Sequence, residues 1–221
     1  MAPPRKHSTD DILDAARALV LREGPRAASV AAISHASGAP VGTLYHRFGS
    51  RDGLLAAAWF RALERYQAVA LAAVAAHSDD PVEAGVALAE TVLAFAADQP
   101  EDARLLLAVR RSDLLDGDDG ALRERLYRGN EPLEAALRQI ARDRYGRADA
   151  RALERVTRAV VDLPAAAVRR HVRGDGAPLP RWLAGDVAAA ARALLRDGPS
   201  AGRRESLATP SRRSTSSRSS G

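Results

Sequence analysis

Residues 29–54 read SVAAISHASGAPVGTLYHRFGSRDGL, and their spacing predicts a helix, a tight turn, a second short helix and the start of a third. Ser29 is suited to cap the first, because its hydroxyl can accept from a free amide in the opening turn. Val30, Ile33 and Ala36 or Ser37 then recur at helical intervals. Gly38 ends the helix at a position that often requires a positive φ. Pro40 costs little in the first turn of the next helix, where its missing N–H is not needed. A turn of only about three residues forces the two helices into a steep crossing.

The second helix, from about Pro40 to Phe48, presents two faces. Leu44 and Phe48 are four apart and anchor inward. Thr43, Tyr45 and His46 fall elsewhere around it, and Val41 and Gly42 are small. Such a face, polar and able to donate hydrogen bonds, suits a helix laid in a major groove roughly 12 Å wide. Gly42 costs the helix about 1 kcal/mol against alanine, which a close approach to a backbone, of protein or of nucleic acid, would account for. Ser50 is placed to cap the next helix, with Asp52 favourable in its first turn. The helix dipole disfavours Arg51 there, so an external phosphate beside Arg51 and the first-turn amides is the expected partner.

These residues resemble the N-terminal domain of the TetR-family transcriptional regulators. The shared pattern is Ser29-Val30, Ile33, Ala36 and Gly38, then Gly42-Thr43-Leu44-Tyr45-His46 and Phe48, then Ser50, Arg51 and Leu54. With the preceding helix, the resemblance covers about residues 8–56. It implies a three-helix DNA-binding unit whose third helix enters the major groove, with Tyr45 and Arg51 at phosphate-contacting positions. The DNA-contacting set is then Val41, Gly42, Thr43, Tyr45, His46, Arg47 and Arg51, with Ser29 at the start of the second helix and Lys6 in the N-terminal arm. Two positions depart from the family pattern. Ala39-Pro40 stands where the family usually has Val-Ser, replacing serine capping with proline pre-organisation. Arg47 stands where a tyrosine is common, adding a phosphate or base contact.

Composition bounds the rest. Of 221 residues, 46% are hydrophobic and only 4% aromatic, with no cysteine. Apolar content in Ala, Leu and Val favours helices over an all-β fold. Disulfides and thiolate metal sites are excluded, which is compatible with a reducing cytoplasm. No apolar run in the first 25 residues suggests a signal peptide, and no stretch is long and apolar enough to span a membrane. The net charge is +5, but Arg203, Arg204, Arg212, Arg213 and Arg218 against Glu205 place most of it in the last stretch. The high pI is therefore weak evidence for nucleic-acid binding by the body.

The expected organisation is all-α: an arm and helix-turn-helix domain at 1–56, a larger helical dimerisation and effector-binding domain at 57–198, and a disordered Arg/Ser-rich tail at 199–221. Ser8 and Asp11 form a capping box for a first helix reaching about Arg22. A long fourth helix, from about Arg51 into the 70s, joins head to body as a lever. Further helices are expected at about 81–97 and 101–114, at 121–145 with a break near Gly129-Asn130 and Pro132, at 148–173 with Pro164 kinking it, and from Trp182 to about residue 196. The acidic turn Asp113 to Gly120 lacks the spacing and terminal glutamate of a calcium loop. Arg110 and Arg111 near Asp113 read as surface ion pairs, and Arg169 and Arg170 beside His171 as a solvated basic helix end.

The family resemblance further implies that the body forms a homodimer through its last two helices, with Leu153, Val156, Val160, Val187, Ala191 and Leu194 as the interface. Two reading helices would then meet half-sites of a palindromic operator roughly 34–36 Å apart. It also implies a cavity for a small, largely apolar effector, with Trp59, Tyr66, Phe95 and Tyr127 as its larger contacts, and release of DNA when the effector binds. No residue set calls for a cofactor or metal. The histidines at 7, 35, 46, 77 and 171 form no H-E-x-x-H pattern and no glycine-rich phosphate loop is present, so the sequence reads as non-enzymatic. Two alternatives stand beside the repressor reading. One is an activator or effector-independent regulator. The other is a helical protein-interaction adaptor, which a buried Tyr45 and an internally ion-paired Arg47 would favour, whereas DNA as the partner calls for Tyr45, His46, Arg47 and Arg51 to share an exposed, positive face.

Overall fold

The chain is described by a computed structural model over residues 7–115, 119–172 and 178–197. Lys6, part of the acidic turn, and the tail fall outside the described residues. Every regular element within them is helical: α1 Thr9–Glu23, α2 Val30–Ser37, α3 Val41–Phe48, α4 Arg51–Ala75, α5 Pro81–Asp98, α6 Pro100–Ala108, α7 Gly120–Arg128, α8 Glu131–Tyr145, α9 Ala150–Thr157, α10 Leu163–Val172 and α11 Leu183–Arg196.

Local chemistry sets the helix starts. Ser8, Ser29 and Ser50 each accept from the amide three residues on, at 3.0, 3.1 and 3.0 Å. Asp80, Asp119 and Asp149 cap α5, α7 and α9 through their carboxylates. Such caps satisfy amides that have no partner within the helix. Gly38 takes φ 68° and stops α2. The Ser34 hydroxyl then donates to the Ala39 carbonyl at 2.7 Å and holds the turn before α3.

The head is built on Ile12, Ala16, Leu19, Ile33, Leu44 and Leu54, all buried. Its apolar cluster does not stop at residue 56. It runs up α4 to Leu63 and takes in Leu105, Leu114 and Leu126 from the body. A second cluster, centred on α5, gathers α8, α9, α10 and α11. With 25 residues, α4 extends about 37 Å at a rise of ~1.5 Å per residue and carries members of both clusters.

Two elements differ from the spacing-based expectation, and the expected break near Gly129-Asn130 is present. The sixth helix ends at Ala108 rather than near 114, and a 3-10 turn, Arg111–Leu114, follows. Extended backbone at Arg110 redirects the chain so that Leu114 is completely buried in the head cluster. The 121–145 pattern divides into α7 and α8 at Gly129-Asn130, with Pro132 in the first turn of α8. Pro164 does not break its helix. A π turn, Arg158–Asp162, joins α9 to α10 immediately before it. A proline inside a helix removes one amide donor and crowds the carbonyl four residues back, and the widened turn makes room for it.

Candidate nucleic-acid interface and interior cavity

The α2–turn–α3 unit rests on Val30 and Ile33 of α2, Ala39 of the turn and Leu44 of α3. Leu44 is buried beneath α3, and Phe48 is half-buried beside it. The opposite side of α3 is open. Val41 is 41% exposed and Tyr45 51% exposed, with Gly42 and His46 exposed between and beside them. Thr43 is half-buried, and Ser29 stands exposed at the start of α2. A Cβ added at Gly42 would meet no atom of the described residues, so no contact among them explains that glycine. At Gly53 the opposite holds: a Cβ there would overlap the Phe48 carbonyl oxygen, and glycine is what lets α4 start so close to α3.

Two arginines of the head are placed differently from the phosphate contacts expected of them. Arg51 turns inward. Its Nε donates to the Ala28 carbonyl at 3.1 Å, one terminal nitrogen to the Asp52 carboxylate at 2.9 Å and the other to the Pro25 carbonyl. The cation that the helix dipole disfavours is thus compensated from within, and the side chain ties α4 to the loop between α1 and α2. Arg47 donates to the His7 carbonyl at 2.9 Å, which pins the last residue of the arm against α3. Its bond is to a carbonyl and not to a carboxylate, and Tyr45 is exposed, so neither condition favouring an adaptor is met; nor do Arg47 and Arg51 join Tyr45 and His46 in the exposed positive face expected for DNA binding.

One carboxylate joins head to body. Asp102, on α6, is 1% exposed. It accepts from Arg17 of α1 on one oxygen and from Arg65 of α4 on the other, the latter at 2.9 Å. Glu101 adds a second bond to Arg17 at 2.5 Å. Burial opposes the charge on Arg17, but the hydrogen bond it donates to Asp102 and the surrounding carboxylates outweigh it and raise its pKa above the ordinary arginine value. Sequence reasoning had no signal for this: Glu101-Asp102 after Pro100 looks like any acidic first turn.

The other side of α6 faces a cavity of about 670 Å³. Trp59, Leu63 and Tyr66 of α4, Val92 and Phe95 of α5, and Ala103, Leu106 and Leu107 of α6 form its apolar wall. Tyr66 meets Phe95 edge to face at 5.4 Å, and burial pushes its phenol up to about 12. Of the four ligand contacts expected, Trp59, Tyr66 and Phe95 line this space. Tyr127 does not: it is 62% exposed on α7, because Leu126 is the residue of that helix turned into the core. Arg110, Asn130 and Arg169 also line the cavity. Arg169 is half-buried there rather than at a solvated helix end, and Arg110, exposed at the cavity's edge, makes no ion pair with a described residue.

Residues 12–58 match the model for bacterial regulatory proteins of the tetR family. The chain carries a TetR-family helix-turn-helix domain. The whole fold is also that of solved TetR-type regulators. The TetR family transcriptional regulator PfmR from Thermus thermophilus superposes with a TM-score of 0.65 at 23% identity, over 90% of this chain and 100% of its own. The fatty acid degradation regulator FadR from Bacillus halodurans gives 0.63 at 16% identity, over 85% and 98%. FadR from Bacillus subtilis, solved in complex with stearoyl-CoA, gives 0.61 at 13% identity, over 86% and 96%. At such identities the likeness establishes architecture. A comparison with curated protein sequences finds no match.

On this TetR-type body the expected interface residues fall elsewhere than anticipated. Val156, Val160, Val187 and Ala191 are buried within the protomer, and Leu153 and Leu194 pack against the same cluster. A stripe on one helix looks the same whether it faces its own core or a partner, and here the chain's own α5 takes it. Outward on α11 stand Ala184, Gly185, Asp186, Ala189, Ala193 and Arg196, with the exposed Trp182 just before the helix. Among the described residues no helix is long and apolar enough to cross a membrane, and no group of acidic or histidine side chains is arranged to hold a metal.

Proposed function

We propose that this protein is a sequence-specific DNA-binding repressor that works as a homodimer and releases DNA when a small, largely apolar molecule occupies its cavity. The observation that carries the DNA-reading part is the bare outer face of α3. Val41, Tyr45 and His46 stand out from it, and Gly42 between them answers to no contact among the described residues. A helix held only from behind and free of its own protein in front suits the major groove.

The dimer would form through the outward face of α11, where Gly185, Ala189 and Ala193 permit close helix approach and Trp182 supplies apolar area at one end. Two copies so joined would present α3 to half-sites roughly 34–36 Å apart. The effector would act through α6, which touches the cavity on one side and holds Arg17 of the head through Asp102 on the other. A ligand shifts such an equilibrium only by its differential affinity for the two arrangements. The solved complex of Bacillus subtilis FadR with stearoyl-CoA supports an acyl-type effector for a body of this architecture.

Selection of bound duplexes from a random pool tests the reading. A recovered palindrome, with a second copy required for binding, is the expected result. Salt-sensitive retention of all duplexes without a consensus would mean that the Arg-rich tail, and not α3, holds the DNA.

A further inference from the structure

The cavity carries a charge that an apolar effector alone does not explain. Two guanidinium groups, Arg110 and Arg169, line it, and among the described residues no carboxylate does. Among the described residues the only hydrogen bond of the Arg169 side chain is from its Nε to the Leu107 carbonyl at 3.2 Å. That bond fixes the side chain across α10 and α6 and leaves its two terminal nitrogens for something else. The Arg110 guanidinium has no carboxylate partner among the described residues. The remaining polar groups on the wall are donors or can serve as donors. Tyr66 stays a neutral phenol at any ordinary pH, because burial holds its proton on, and Asn130 carries an amide. Arg169 is half-buried beside the apolar wall and Arg110 stands exposed at its edge, and guanidinium forks match carboxylate and phosphate oxygens in pairs.

We infer that the cavity takes an amphipathic anion, an apolar chain seated between Trp59 and Phe95 with a carboxylate or phosphate head on Arg169 and Arg110. A volume of about 670 Å³ lies in the range of pockets that enclose one such small molecule. The inference rests on the regulatory reading for its purpose but not for its chemistry. It assigns specificity to Arg169, which is pre-positioned by its bond to Leu107, with Arg110 at the more open side.

Calorimetric titration of the full chain with palmitate, palmitoyl-CoA and 1-hexadecanol tests it. Binding of palmitate or palmitoyl-CoA at least about tenfold tighter than hexadecanol is expected, since a charge-assisted hydrogen bond supplies about that factor. The stronger of the two anions tells whether the head is a carboxylate or a phosphate-bearing thioester. Arg169→Gln should remove most of the preference, and Arg169→Lys should retain part of it. Equal binding of the alcohol, or an unchanged preference in the Arg169→Gln chain, overturns the inference. Arg110→Gln gives a second reading of the charge should Arg169→Gln fail to fold. DNA release is measured separately. Anion binding without release would leave this inference standing and sink the effector-release reading.

Discussion

The arginines beside the two candidate sites, the outer face of α3 and the cavity, are placed in opposite ways. In the head, Arg51 and Arg47 are spent on backbone carbonyls, and Arg17 on a buried carboxylate. The face offered to solvent is left to Tyr45, His46 and a glycine. In the body, Arg110 and Arg169 line an apolar cavity with no described acid opposite. Counting cations would have assigned the two regions the other way round. Arg17, Arg47 and Arg51 hold the head's shape, as Arg144 and Arg155 hold the body's, and Arg110 and Arg169 have no carboxylate partner among the described residues.

The comparison breaks most visibly at Asp102. Asp102→Ala removes the acceptor shared by Arg17 and Arg65 and leaves the largely buried Arg17 with partners at the surface only. Breaking a buried pair from one side costs about 3 kcal/mol, to be read as a lower urea midpoint. An unchanged midpoint would mean that the joint contributes nothing to stability. Arg51→Ala comes next. It strips acceptors at Pro25 and Ala28 of their donor and leaves Asp52 without this cation, which should cost about 2 kcal/mol. Its effect is on folding, so the loss of DNA binding should vanish where the variant is shown to be folded. A direct phosphate contact would instead lower affinity at full stability.

Much of the head was legible beforehand. Ser8, Ser29 and Ser50 cap where their spacing put them, Gly38 turns the chain, and Leu44 is the anchor. Those are local rules, in which a side chain reaches no more than a few residues. What was not legible depends on partners distant in sequence. Arg51 meets carbonyls 23 and 26 residues away, Arg17 meets Asp102 across 85, and Arg169 meets Leu107 across 62. The stripe of Val156, Val160, Val187 and Ala191 was legible as buried, but only the packing of α5 against it says by what. Pro164 was legible as a fault in its helix, though not as a π turn.

A finer contrast lies between two glycines of the head. Gly53 answers to the Phe48 carbonyl, Gly42 to nothing among the described residues. Gly42→Ala should therefore raise stability by about 1 kcal/mol while weakening operator binding, measured on the same preparation by thermal melting and by titration of a labelled duplex. Gain of stability with unchanged affinity would show that nothing comes close to α3 at that point. The smallest effect concerns the body's own clasp. Glu83 of α5 accepts two bonds from Arg192 of α11, at 2.8 and 2.6 Å. The hydrogen bond from Arg192 holds its carboxyl below the ordinary value, with burial opposing. A lowered carboxyl pKa stabilises above the ordinary carboxylate value and loses that contribution as pH falls through the lowered one. The pair is partly exposed and its effect is small. The difference in unfolding midpoint between the natural chain and Glu83→Gln should shrink steadily from pH 6 towards pH 3, and a constant difference would assign the role to packing.

The most direct test of the outward face of α3 is the affinity of a Tyr45→Ala, His46→Ala chain for the duplex that the intact protein selects. Both side chains are exposed, so the melting temperature should stay within a degree or two. Affinity for the selected duplex should fall at least about tenfold, towards the level of an unrelated duplex. A variant that binds the selected duplex as tightly as the intact chain would contradict the account, because the face left bare by the fold would then not be the one that reads DNA.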